Sequence, residues 1–137
     1  MKKLVLFVVI AVVALSMVAN VNAKNRYNQQ WLLNRAEENY VMLCNQGYES
    51  VMESVIFNVI MMKNNYPDFN YDKIINALDK LAKDHESVTV QHKAYIASVY
   101  LRHSELFKLP AKINKQNPNA CFKAMALDLE NAVFVEK

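Results

Sequence analysis

Ser50-Val51-Met52-Glu53-Ser54-Val55-Ile56-Phe57-Asn58-Val59-Ile60-Met61-Met62-Lys63 is the stretch on which the fold turns. Val51, Val55, Ile56, Val59, Ile60 and Met62 recur at helical spacing, and Phe57 and Met61 carry the apolar surface round most of the circumference. A helix that is apolar on nearly every side has to be sandwiched between neighbours. Ser50 and Glu53 have the spacing of a capping box, so this second helix is predicted to start there and to run to about Asn65, ahead of Pro67.

Upstream, Leu32, Ala36, Tyr40, Leu43 and Cys44 form one stripe of a first helix predicted from near Asn28 to about Gln46. Gly47, the sole glycine of the 137 residues, stands where a left-handed C-cap is wanted. Downstream, Asn70 is placed to cap a third helix whose Ile74, Ile75, Leu78, Leu81 and Ala82 make a narrow stripe with lysines outside it. Thr89 is the expected cap of a fourth helix from Val90 to about His103, again broadly apolar. Residues Ser104 to Asn117 read as an irregular connection, and Asn117-Pro118 as the N-cap and first residue of a last helix carrying Cys121, Ala124, Met125, Leu127 and Leu129. The expectation is an all-α chain of five helices forming one domain over residues 24–137. A single glycine leaves no room for glycine-rich phosphate loops, dinucleotide fingerprints or nucleophile elbows.

A shift of 39 residues lays Ser50 on Thr89, Val51 on Val90, Val55 on Ala94 and Ile60 on Val99; a shift of 38 lays Ala36 on Ile74 and Leu43 on Leu81. Two helices per period of about 40 residues is how α-solenoids look in sequence. Val90-Gln91-His92-Lys93-Ala94-Tyr95-Ile96-Ala97 resembles the inner helix of a HEAT repeat, with Gln91 where that family carries a basic residue. The resemblance covers residues 30–103, about two repeats. It implies an α-α superhelix of HEAT-like hairpins in which polar positions of the second helix of each pair face a partner. Glu53, Asn58, His92, Lys93 and Arg102 are those positions here.

Lys2 and Lys3 precede an apolar run from Leu4 to Leu15, extended to Ala19, and Val21-Asn22-Ala23 places small residues where a signal peptidase cuts. Residues 1–23 are therefore read as an export signal, and the protein as periplasmic or secreted. The run is about 16 residues, short of the roughly 20 that span a bilayer, so retention as an anchor is the lesser alternative. Removing the leader takes two lysines and no acid, so the formal charge falls from +3 to 14 − 13 = +1. So small a charge offers no electrostatic footprint for nucleic acid.

In an oxidising compartment two cysteines of a small domain usually pair, so a Cys44–Cys121 disulfide is expected. The bridge would close about 78 residues, worth on the order of 4 kcal/mol. Its Cα atoms must lie within about 7 Å, which requires the last helix to fold back on the first.

No constellation with the spacing of a catalytic or metal site emerges. Asp68-Phe69-Asn70-Tyr71-Asp72 opens like a calcium loop, but Lys73 takes the position that needs glycine, and capping of the third helix explains these residues better. His92 and His103 share a helix face yet stand about 16 Å apart along it. No cofactor or metal is expected. Lys108, Lys112, Lys115 and Lys123 form the one local basic cluster, read first as a solvated connection and otherwise as a surface for anionic envelope polymers or acidic partner faces. The leading functional expectation is a non-enzymatic module that binds a protein or peptide. The alternative is a carrier of a small apolar ligand inside a disulfide-closed bundle, with a cavity lined by Met and Tyr.

Overall fold

The computed structural model describes Arg26 and residues 28–135; the export signal expected over residues 1–23 lies outside the described residues. Among the described residues the regular structure is helical throughout: α1 over residues 28–44, α2 Glu49–Asn65, α3 Asp72–Asp84, α4 Val88–Arg102 and α5 Pro118–Val135. A 3-10 turn, Ser104–Leu106, follows α4. The chain divides after Ala36 into two units. In the first, the Arg35 guanidinium lies 6.0 Å from the centre of the Trp31 ring, one turn away. The second, from Glu37 onward, contains the buried core.

α2 and α4 supply the centre of that core, as their all-round apolar character requires. Met52, Ile56, Val59 and Ile60 of α2 and Val90, Ala94 and Ala97 of α4 have no exposed surface. α3 buries only the stripe Ile74, Leu78 and Leu81 and leaves its lysines in water. α3 packs along α4 as a hairpin joined by His85, Glu86 and Ser87.

α2 and α4 lie side by side and run in the same direction. Ser87 at the start of α4 donates to the Glu49 carboxylate at the start of α2 (2.6 Å), and one turn further in Lys93 Nζ meets Glu53 Oε2 (2.6 Å). These pairs are separated by 38 and 40 residues, bracketing the 39-residue shift that superposes the two helices in sequence.

Local signals are used somewhat differently from expectation. The capping box does not form: α2 starts at Glu49 with Tyr48 as its N-cap and no side-chain cap, and Ser50 is already helical, its carbonyl accepting from the Ser54 hydroxyl. α4 is capped by Ser87, whose Oγ accepts from the Val90 amide, and Thr89 lies inside the first turn. Ser87 wins because the same hydroxyl also reaches Glu49. α3 starts at Asp72 with Tyr71 as its N-cap and no side-chain cap. Asn70, the expected cap, stands one residue earlier, and its Oδ1 accepts from the Asp72 amide (2.8 Å) as a turn contact. Asn117 Oδ1 accepts from the Ala120 amide (3.1 Å), so the start of α5 follows the sequence. Gly47 has φ 85°, the left-handed conformation its position demands.

The expected disulfide is corrected. Cys44 and Cys121 are free thiols. α5 seats on α4 and the 3-10 turn, with Phe122 against Phe57 of α2 at 6.4 Å between ring centres. That packing sets Cys121 beside Met125, sulfur to sulfur 3.9 Å, rather than against Cys44, which is buried at the end of α1. The residues that bring α5 home are aromatic and ionic, and the thiol position follows from them.

Candidate functional site

The connection after the 3-10 turn is irregular but firmly placed. Phe107 is buried edge-on against Tyr100, with ring centres 5.3 Å apart, and Ile113 is buried as well. The Lys108 amide donates to the Asp128 carboxylate of α5 (2.8 Å), and Asn64 Nδ2 of α2 donates to the Ala111 carbonyl (3.1 Å). These ties hold the loop off the last turns of α2 and leave a groove of about 630 Å³.

Met61, Asn64 and Asn65 of α2 form one wall of the groove, and Ala111 to Gln116 the other. The lining contains Lys112 and Lys115 and no acidic residue. Four amide side chains, on Asn64, Asn65, Asn114 and Gln116, stand among them, each able to donate and to accept. Met61 and Ile113 supply a small apolar floor. The arrangement suits an anionic, hydrogen-bonding ligand and offers little to a purely apolar one. The basic cluster Lys108, Lys112, Lys115 and Lys123 in the sequence signals this region; the amide wall from α2, about 50 residues earlier in the chain, gives no such signal.

The five positions expected to face a partner have separate fates. Lys93 is buried, and its ammonium is held by Glu53, by Asn119 Oδ1 (2.9 Å) and by the face of the Phe122 ring, 5.2 Å from its centre. Glu53 and Lys93 are thus brought together as a brace joining α2, α4 and α5. Arg102 forks onto Asp79 of α3, with Nη2 2.5 Å from Oδ2 and Nη1 3.1 Å from Oδ1, and also donates to Ser98. Asn58 and His92 are exposed and lie apart from that brace on α2 and α4.

Electrostatics mark structure in the places where titration is perturbed. The Arg102 guanidinium beside Asp79 holds its carboxyl below the ordinary value, with the Ser98 hydroxyl adding to the effect against some desolvation. Burial pushes the Cys44 thiol up to about 11. Burial also raises Tyr71, whose hydroxyl donates to the Tyr66 carbonyl (2.8 Å) and whose neighbours Tyr100, Tyr40 and Tyr66 act in the same direction. Among the described residues no group of three His, Cys, Asp or Glu side chains converges as a metal site would require. Asn70, read as a possible loop ligand, uses its oxygen on the Asp72 amide, and Lys73 pairs with Glu37 (3.3 Å).

Among the described residues no helix is long and apolar enough to cross a membrane. Fold and groove together define an all-helical protein with a basic, amide-lined cleft at one end of its central helix. No protein-family model, curated protein or solved structure matches the chain.

Proposed function

We propose that this is an exported, non-enzymatic helical module that binds a protein or peptide, and that the groove between the end of α2 and residues 111–116 takes an acidic segment of that partner. One observation carries the reading: Lys112 and Lys115 sit in a lining without a single carboxylate, beside four side-chain amides. Amides match the alternating donors and acceptors of an extended backbone, lysines match carboxylates as point charges, and the Met61–Ile113 floor accepts one aliphatic side chain. The parallel packing of α2 and α4 near a 39-residue offset favours HEAT-like hairpins as the scaffold. The groove, however, lies off the second-helix surface that resemblance points to, because Lys93 and Arg102 are engaged internally. An apolar-ligand carrier is less well served, since no tyrosine lines this groove.

The test is fluorescence anisotropy with a short labelled peptide of alternating Glu and Leu, alongside its Gln counterpart. The Glu peptide binds, and its affinity falls as salt rises, as screening of contacts with two exposed lysines implies. Lys112→Glu with Lys115→Glu removes the binding. Equal affinity for the Gln peptide, or indifference to the double substitution, sinks the assignment.

A further inference from the structure

α5 is out of keeping with its surroundings. Its apolar residues, from Ala120 through Val135, occur on all sides of the helix, the pattern of a helix enclosed by neighbours. Yet only Phe122 and Met125 of its 18 residues are buried. Phe122, Met125, Leu129 and Ala132 turn toward the body. On the opposite side Ala120, Ala124, Leu127, Asn131 and Phe134 recur at intervals of four, three, four and three, and all five are exposed. Leu127 is 51% and Phe134 72% exposed, with Val133 and Val135 adjoining at 62% and 85%. That alternation is the seam of a two-helix coiled coil, with small residues at one end and the large Phe134 at the other.

The charges beside the seam say what covers it. Lys123 and Glu130 are exposed, seven residues apart, along the same edge of the stripe. They lie about 10 Å apart along the axis, at 1.5 Å per residue. When two such helices meet antiparallel about a two-fold axis near Leu127, Lys123 of each falls beside Glu130 of the other, and the attraction is made twice. In the same register Ala120 and Ala124 leave room for the Phe134 ring of the opposite helix, and the two Leu127 side chains meet at the axis. A parallel pairing would leave Glu130 beside Val135 and offer Lys123 only Asp128, a carboxylate already tied to the Lys108 amide of its own chain. We infer that the outward face of α5 docks a second copy of this chain in antiparallel register.

Sedimentation equilibrium on the protein purified after expression of the whole sequence tests this over a range of concentrations. The wild type is expected to dimerise, and Leu127→Asp, at a half-exposed position that leaves the helical circular dichroism intact, to be monomeric. Lys123→Glu and Glu130→Lys each weaken the dimer by about tenfold, because two attractions become two repulsions. The double variant Lys123→Glu with Glu130→Lys restores it, a rescue that a purely apolar contact would not give. A wild type that stays monomeric throughout, or a dimer insensitive to Leu127→Asp, overturns the inference. Single charge reversals without effect overturn the antiparallel register. Flotation of monomeric wild type with neutral phosphatidylcholine vesicles, abolished by Leu127→Asp, would make the face a lipid contact and overturn the inference too.

Discussion

Lys93 illustrates why residue type alone misleads at the scale of the single side chain. A lysine on the second helix of a hairpin reads as an outward charge, but here its stem is buried and its ammonium has three partners contributed by α2 and α5. Only tertiary contacts supply that information: Asn119 and Phe122 are about 26 and 29 residues away, and no local spacing announces them. Lys93→Ala is expected to lower stability by about 2 kcal/mol, below the usual cost of breaking a fully buried pair because the Glu53 side chain keeps a third of its surface in water. Lys93→Met keeps the packing and loses only the charge, so its cost is about half as large. Urea midpoints at constant m-value measure both; a Lys93→Met variant as stable as wild type would show that the charge is irrelevant, and equal losses that the buried stem contributes nothing. Cys44 makes a second residue-scale case. With its thiol pushed up to about 11, only about one molecule in a thousand carries the thiolate at pH 8. Alkylation of the native protein at that pH is expected to modify Cys121 first and Cys44 only on unfolding. Labelling of neither without reductant would reinstate the bridge.

At the scale of the element, apolar periodicity was legible and capping only partly so. The all-round helices α2 and α4, the narrow stripe of α3 and the asparagine cap before α5 follow from the sequence, because spacing alone sets them. The starts of α2 and α4 do not, since three hydroxyl residues compete: Ser50, Ser87 and Thr89. What selects Ser87 is the Glu49 carboxylate of a different helix, invisible to a window of a dozen residues. Ser87→Ala therefore costs about 1 kcal/mol, the usual worth of an N-cap, while Thr89→Ala stays within about 0.5 kcal/mol of wild type. Thermal or urea unfolding of the two variants separates them, and a reversed order would return the cap to Thr89. Gly47 is a cleaner case, because a Cβ built there meets nothing within 4 Å. Gly47→Ala consequently isolates the cost of the left-handed backbone, about 1 kcal/mol.

For the whole molecule, the 39-residue offset was readable and has a physical counterpart in the parallel α2 and α4, whereas the position of α5 was not. The sequence offered a pair of cysteines as the reason for its docking; the structure uses Phe57, Phe122, Lys93 and Asp128, none of which forms a pattern on its own. Folding also joins α3 to α4 through Asp79, Ser98 and Arg102, and that triad gives the domain an acid-sensitive link. Asp79 titrates below its ordinary 3.8, chiefly because Arg102 hydrogen-bonds the carboxylate. A carboxyl whose folded pKa is depressed stabilises the fold above its unfolded pKa, and that contribution disappears as pH falls through the folded value. The stability gap between wild type and Asp79→Asn is accordingly expected to be level from neutral pH down to about 5 and to close below about 4. The Arg102 and Asp79 side chains remain 40% and 46% exposed, so the gap is modest and shrinks further in molar salt, unlike that of the buried Lys93 variant. Urea midpoints for both proteins across pH 2 to 7 provide the measurement; a gap that persists undiminished at the acid end would mean that Asp79 acts through packing, and that its charge does not couple α3 to α4.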